Sequence, residues 1–293
     1  MKLLRFSTAE GPTLGARRGD EVIDLRLAGP DLPRDMNALL ALGAAGLEAV
    51  QRAIDRAPAA AVRPVDGLEW LVPVPAPEKI ICIGMNYAEH IKEAPTAHEV
   101  PTYPVVFLRQ AGSMVAHNQP LRRPLCSEQF DFEGELVCVI GRHGRHIAKA
   151  DALSHVAAYS LFNDASVRDY QFKSPQWTVG KNFDATGAFG PELVTADELP
   201  EGARGLRLRT VLNGQTVQDA STSDMIFDIA TQISLMSEAM TLIPGDVIVT
   251  GTPSGVGIGR KPPLWMKHGD VCTVSVEGVG TLSNPIRDEG AKT

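Results

Sequence analysis

Residues 132–141, Phe132-Glu133-Gly134-Glu135-Leu136-Val137-Cys138-Val139-Ile140-Gly141, set two carboxylates directly ahead of five consecutive apolar residues. An apolar run of this length, closed by glycine, predicts a strand buried in the core. Side chains alternate along a strand, so Glu133 and Glu135 project from one face with their Cα atoms about 6.5 to 7 Å apart, close enough to share one cation. Gly134 leaves the opposite face open. Taken alone, Glu-x-Glu is equally the pattern of a charged strand edge.

Other runs of strand length flank this one: Lys79 to Gly84, Val105 to Leu108, Ala157 to Phe162 and Asp246 to Thr250. The alternating segment Asp270 to Val276, followed after a turn by Gly278 to Leu282, predicts a half-buried hairpin. Helical spacing is rarer, at Asp151 to Ala158 and Phe227 to Met240. Ahead of residue 70, Lys2 to Phe6 and Glu21 to Leu25 are strand-like and Leu39 to Arg56 helical, after which three alternating prolines, Pro73, Pro75 and Pro77, favour an extended connector. The expected organisation is a small α+β N-terminal domain with its connector, residues 1–75, and a larger, mainly β domain, residues 76–293, built as a rolled sheet.

The chain has 293 residues, 44% of them hydrophobic, which is enough for one large core. Its 28 Lys and Arg against 35 Asp and Glu give a net charge of −7 with no basic cluster, which argues against nucleic acid as a partner. No segment approaches the roughly 18 apolar residues of a membrane span, and Arg5 interrupts the N-terminus before an export signal could form. Cys82, Cys126, Cys138 and Cys272 are scattered among apolar neighbours, as expected of buried, reduced thiols in a cytoplasmic protein.

Asp164 follows the apolar strand Tyr159-Ser160-Leu161-Phe162 and precedes a helical pattern, Ser166 to Gln171, which it would suit as a cap. With Glu133 and Glu135 it also makes an all-oxygen set, suited to Mg²⁺, Mn²⁺ or Ca²⁺ rather than zinc. Lys181, in Gly180-Lys181-Asn182-Phe183, is either a solvated lysine or a group that neutralises a substrate carboxylate. Gly251-Thr252-Pro253-Ser254-Gly255-Val256-Gly257 offers N–H groups and hydroxyls to an anion, although such a loop is also simply a turn. In the helical pattern from Asn86, read as its N-cap, to Pro95, His90 and Glu93 stand at i and i+3, where the carboxylate can orient the imidazole. The same spacing occurs on ordinary exposed helices. A helix so short suggests an element that orders over substrate.

These residues fall into six motifs: Gly84 to His90, Phe132 to Leu136, Phe162 to Asp169, Gly180 to Phe183, Ser223 to Phe227 and Gly245 to Gly257. In that order, from about residue 78 to 287, they resemble the fumarylacetoacetate hydrolase superfamily. The resemblance implies a mixed β-roll catalytic domain, a homodimer, and a divalent ion, commonly Mg²⁺ or Mn²⁺, held by Glu133, Glu135 and Asp164. It implies a lysine beside the substrate at Lys181 and an acid–base dyad at His90 and Glu93, with Arg168, Gln171 and Thr252 lining the pocket. Arg109 matches a position that holds lysine in many such proteins and would offer a planar fork to the substrate.

The expected chemistry uses the ion as a Lewis acid toward a small 2-oxo acid. Hydrolysis of the C3–C4 bond of a 2,4-dioxo acid, with His90 activating water, is the favoured reaction, giving a 2-oxo acid and a carboxylic acid. Isomerisation of a 2-hydroxy-dienedioate and decarboxylation of a 2-oxo acid are alternatives on the same site. A non-catalytic carboxylate-binding protein would need the ligands but no dyad.

Overall fold

The computed structural model describes residues 1–93 and 99–291. Its centre is the predicted strand Gly134–Ile140, every residue of which is buried. Even-numbered Leu136, Cys138 and Ile140 pack with Leu208, Leu212, Val274 and Leu282 of a second sheet. Odd-numbered Val137 and Val139 pack with Leu39, Leu40 and Val50 from the N-terminal helices. Cover on both faces is why this strand reads as an unbroken apolar run rather than an alternation.

The larger sheet has twelve strands among the described residues, and the expected α+β architecture with few helices is present. Its main path runs Val62–Pro64, Glu21–Asp24, Gly11–Arg18, Lys2–Thr8, Gly187–Thr195, Val156–Asp164, Gly134–Ile140, Val247–Val249, Ile80–Gly84, Val105–Arg109. Residues 1–75 therefore do not close a sheet of their own. Lys2–Thr8 pairs antiparallel with Gly187–Thr195, and Trp70–Leu71 returns onto Lys2–Thr8. The second sheet orders Gln215–Ser221, Arg207–Leu212, Val271–Val276, Gly280–Asp288 and Leu121–Arg123, and contains the predicted hairpin.

Four local expectations change. The helical pattern from Asp151 is a 3₁₀ segment, Lys149–His155, and from Val156 the chain is already strand, because sheet pairing outweighs local periodicity there. Ser166–Val167 pairs with Phe130–Asp131 before the short helix Arg168–Gln171 begins. Cys126 is exposed, whereas the other three cysteines are buried. Asn86 does not spend its side chain on a cap: Nδ2 donates to Phe227 O at 3.1 Å and Thr250 O at 2.7 Å, and Oδ1 accepts from Phe227 N at 2.7 Å. Asn86 thereby fixes the turn between Ile80–Gly84 and the helix Ala88–Glu93. The predicted end of that helix, at Ala94 and Pro95, lies outside the described residues.

Candidate active site

The antiparallel register of Gly134–Ile140 with Val156–Asp164 sets Glu135 opposite Phe162 and Gly134 opposite Asn163. One step further, Asp164 donates its N–H to Glu133 O at 2.8 Å, so the three acidic residues meet where the two strands end. Each offers an oxygen, these atoms lie within 4.8 Å of one another, and all three residues are buried. Gly134 faces away from them, against Thr210 and Val274 of the second sheet.

Three cations surround this cluster. Lys181 Nζ donates to Glu133 Oε2 at 2.6 Å and Asp164 Oδ2 at 2.8 Å. Arg168 Nη2 lies 2.7 Å from Glu133 Oε1 but without hydrogen-bond alignment, so this buried nitrogen has no hydrogen-bond partner of its own among the described residues. Arg109 pairs with Asp164 and also donates to Thr186 Oγ1 at 2.8 Å and Ser113 Oγ at 3.2 Å.

The charges are unequally satisfied. Burial alone would raise the Glu133 carboxyl, but Lys181, Arg168 and His90 outweigh it and hold the group at about 2. Glu135 is pushed well above the usual carboxylate range by burial and by the charges of Asp164 and Glu133, with a backbone N–H from Gly251 at 2.5 Å in partial relief. Burial disfavours the charged Lys181, yet Asp164 and Glu133 more than compensate, and its ammonium is held above its ordinary range. Counting Asp131, the four carboxylates face three cations, leaving one formal negative charge. A divalent ion fits this donor set: it supplies hard-cation coordination to three oxygens, relieves the crowding on Glu135 and turns the local balance positive.

On the other wall of the same cleft stands His90. Its Nδ1 is 3.0 Å from Glu93 Oε1. A carboxylate only accepts, so this contact assigns the proton to Nδ1 and leaves Nε2 as the basic nitrogen. Glu93 is anchored in turn by Gly255 N–H, 2.9 Å from Oε1 and 3.0 Å from Oε2. The glycine-rich loop thus uses its backbone on the protein's own carboxylates: Gly251 on Glu135, Gly255 on Glu93, and Gly257 on Asp131 at 2.7 Å.

Among the sequence-predicted residues, His90, Glu133, Glu135, Arg168, Gln171, Lys181 and Thr252 all line the cleft. Gln171 accepts from Arg168 Nη1 at 2.8 Å, while Thr252 donates to Gly134 O at 3.1 Å. Arg109 is placed differently from its expected role: it lies behind Asp164, with each guanidinium nitrogen bonded to protein, and does not line the cleft. Apolar walls come from Ile83, Phe107, Phe172, Trp177, Val256 and Ile258, giving a narrow volume of about 40 Å³. Gln218 carries no signal in the sequence: Oε1 accepts from Gly134 N at 3.0 Å, and Nε2 donates to Thr252 Oγ1 and Pro253 O, both at 2.8 Å. Asp131 is a second addition, although a lone carboxylate between Phe130 and Phe132 is a signal of a buried, paired charge.

A rolled mixed sheet with a buried acidic triad and a histidine–glutamate pair on one cleft agrees with the similarity to known proteins. Residues 79–287 match the family described as fumarylacetoacetate (FAA) hydrolase C-terminal, and the chain belongs to that family. It is 39% identical over 292 residues, 98% of this chain and 90% of the other, to the oxaloacetate tautomerase fahd2, mitochondrial, of Xenopus laevis. Among solved structures it resembles fumarylacetoacetate hydrolase from Exiguobacterium antarcticum, with a TM-score of 0.84 and 35% identity, covering 99% of this chain and 100% of that one. It also resembles maleylpyruvate hydrolase from Sphingobium sp. SYK-6 in complex with manganese(II) and pyruvate, with a TM-score of 0.80 and 28% identity, covering 98% and 99% of the chains. The tautomerase likeness corrects the cytoplasmic expectation, since that relative is named as mitochondrial. Scattered thiols do not separate one compartment from another. Among the described residues no helix is long and apolar enough to cross a membrane.

Proposed function

We propose that this protein interconverts the keto and enol forms of a small 2-oxo acid of the oxaloacetate class, using a divalent ion held by Glu133, Glu135 and Asp164. The observation that carries the reading is that His90, already oriented by Glu93 at 3.0 Å, shares one narrow cleft with Glu133 and Glu135. Mg²⁺ or Mn²⁺, when bound, supplies Lewis-acid stabilisation of the negative charge that develops on the keto oxygen.

His90 Nε2 takes a proton from the carbon next to the keto group, the C–H electron pair passes into the carbon–carbon double bond, and the keto oxygen gains the charge. The imidazolium gives its proton to that oxygen, which completes the enol and restores neutral His90, and the same steps in reverse restore the ketone. Glu93 steadies the imidazolium formed in between. Lys181 pairs with Glu133 and Asp164 and helps to keep Glu133 ionised, and Arg168, whose Nη2 has no hydrogen-bond partner among the described residues, receives a substrate carboxylate. Phe107 and Trp177 exclude bulk water.

Hydrolysis of a 2,4-dioxo acid is a second reading, supported by the likeness to maleylpyruvate hydrolase. There the base takes its proton from water, hydroxide adds to the distal carbonyl, and the C3–C4 bond breaks to release a carboxylic acid and the enolate of a 2-oxo acid. The tautomerase comes first because the matching relative of that activity is more similar over nearly the whole chain, at 39% identity against 28% for the maleylpyruvate hydrolase. Following the decay of enol-oxaloacetate by ultraviolet absorbance, with acylpyruvates analysed by mass spectrometry in parallel, separates the two. Cleavage of acylpyruvate without acceleration of tautomerisation overturns the first reading. The homodimer implied by the family resemblance is part of the proposal, and a monomeric mass by light scattering contradicts it.

A further inference from the structure

We infer that Asp131, which does not line the cleft, is a positioning residue that fixes both walls of the active site through one carboxylate. Asp131 is fully buried between Phe130 and Phe132. Each of its oxygens accepts two hydrogen bonds: Oδ1 from Phe132 N at 2.8 Å and Gly257 N at 2.7 Å, and Oδ2 from Arg168 Nε at 2.8 Å and Ile258 N at 3.0 Å. No other buried carboxylate joins a cleft-lining cation to the glycine-rich loop among the described residues.

On one side the bond to Nε fixes the guanidinium plane of Arg168, which lines the cleft, while Gln171 holds Nη1, so that Nη2 is held beside Glu133. A guanidinium held by two acceptors keeps its remaining donor preoriented, which lowers the entropic cost of receiving a carboxylate. On the other side, Gly257 and Ile258 are pinned two and three residues beyond Gly255, whose N–H holds Glu93 against His90. The fit at Gly257 is close. A Cβ there would stand 2.5 Å from Asp131 Oδ1 and 1.9 Å from Leu264 O, so only glycine lets the loop approach the carboxylate. Asp131 is thus joined to the substrate-binding wall by one residue, Arg168, and to the base by the run Gly257, Gly255, Glu93, His90.

The inference rests on the proposed 2-oxo acid chemistry, so its test includes binding measurements that do not require turnover. In Asp131→Asn the amide nitrogen must face either Arg168 Nε or a backbone N–H, donor against donor. The expected result is oxalate binding, measured by calorimetry on the Mn²⁺-loaded protein, weakened about tenfold to a hundredfold, with a comparable fall in kcat for keto–enol exchange. Affinity for Mn²⁺ alone should change less than about threefold, because the three ligand carboxylates stay in place. The decisive readout is a double-mutant cycle. If Asp131 acts through Arg168, Asp131→Asn weakens oxalate binding in the wild type and does little further in Arg168→Ala, whereas a merely structural role adds in full. Should Asp131→Asn not accumulate as folded protein, Asp131→Glu keeps the charge, misplaces the oxygens by one methylene, and is expected to show the same loss of oxalate affinity. Additive losses, unchanged oxalate affinity, or loss of Mn²⁺ binding along with oxalate each overturn the inference. If the wild type binds Mn²⁺ and oxalate but turns over no 2-oxo acid, the functional reading fails while the positioning of Arg168 by Asp131 is still measured.

Discussion

Gly255 donates its backbone N–H to the Glu93 carboxylate at 2.9 Å, although 162 residues separate the two in sequence. The bond holds the carboxylate that orients His90, and it depends on a glycine: φ at Gly255 is +102°, and a Cβ there would stand 2.1 Å from Val217 O. Glu93→Gln keeps an acceptor for Gly255 but loses the charge that steadies the imidazolium. Its kcat should fall about tenfold to a hundredfold with the melting temperature almost unchanged. A Glu93→Gln enzyme with wild-type kcat would remove Glu93 from the mechanism.

His90 itself is expected to matter more. Removing a general base costs about 10² to 10⁴ in rate, and His90 is not among the three carboxylate ligands, so His90→Ala should lose kcat by that factor while oxalate binding to the Mn²⁺-loaded protein stays nearly constant. Loss of metal or oxalate binding in this variant would place His90 in the ligand set instead.

The proposed metal site should be pH-dependent in a direction set by Glu135. Its folded-state pKa is raised above the ordinary 4.5, so without an ion the folded protein holds an extra proton, and Glu135's contribution to stability declines as pH rises from 4.5 through the raised value. Glu133, held at about 2, acts oppositely: its pairing contributes fully above 4.5 and is lost as pH falls toward 2. Chelation should therefore lower the melting temperature most at the alkaline end, and metal binding should release protons. Glu135→Gln should abolish both effects together with activity, as calorimetry in buffers of different ionisation enthalpy would reveal.

His117 provides a second, independent pH response far from the chemistry. Its ring packs edge-on against Trp70 with centroids 5.3 Å apart, Nδ1 accepts from Ser283 N at 3.1 Å, and burial pulls its pKa down from 6.5 to about 4. The unfolded chain takes up the proton first, so this contribution is complete above pH 6.5 and is lost as pH falls toward about 4. In His117→Asn, whose amide oxygen still accepts from Ser283, thermal stability should fall less steeply than in the wild type across that window.

Gly134 tests the close approach of the two sheets. An added Cβ would meet Thr210 Oγ1 at 2.1 Å and the Val274 methyls at 3.2 Å. Overpacking of this kind costs about 1 to 3 kcal/mol, so Gly134→Ala should lower the urea midpoint and weaken metal binding as Glu133 and Glu135 shift. An unchanged midpoint would mean that the second sheet yields freely at this point.

The sequence alone determined the elements whose environment is uniform along their length. Gly134–Ile140 is buried on both faces and so reads as an apolar run, Val271–Val276 is buried on one face and so alternates, and the period-two geometry of a strand suffices to set Glu133 and Glu135 on one side. His90 with Glu93 was legible because an i, i+3 pair is local. Tertiary structure decided the rest. Gly187–Thr195 carries Gly187, Gly190 and Pro191, residues that argue against a strand, yet it is fully buried between Val156–Asp164 and Lys2–Thr8, where neighbouring strands satisfy its backbone and override its weak propensity. Arg109 was expected at the substrate because the family resemblance shows only that a cation stands at this position, whereas packing turns its guanidinium onto Asp164, Ser113 and Thr186. Gln218 became visible only in the folded chain, and Asp131, whose setting between Phe130 and Phe132 signals burial, acquired its partners only there, because the partners of a buried polar group come from strands and loops distant in sequence, and local spacing holds no record of them.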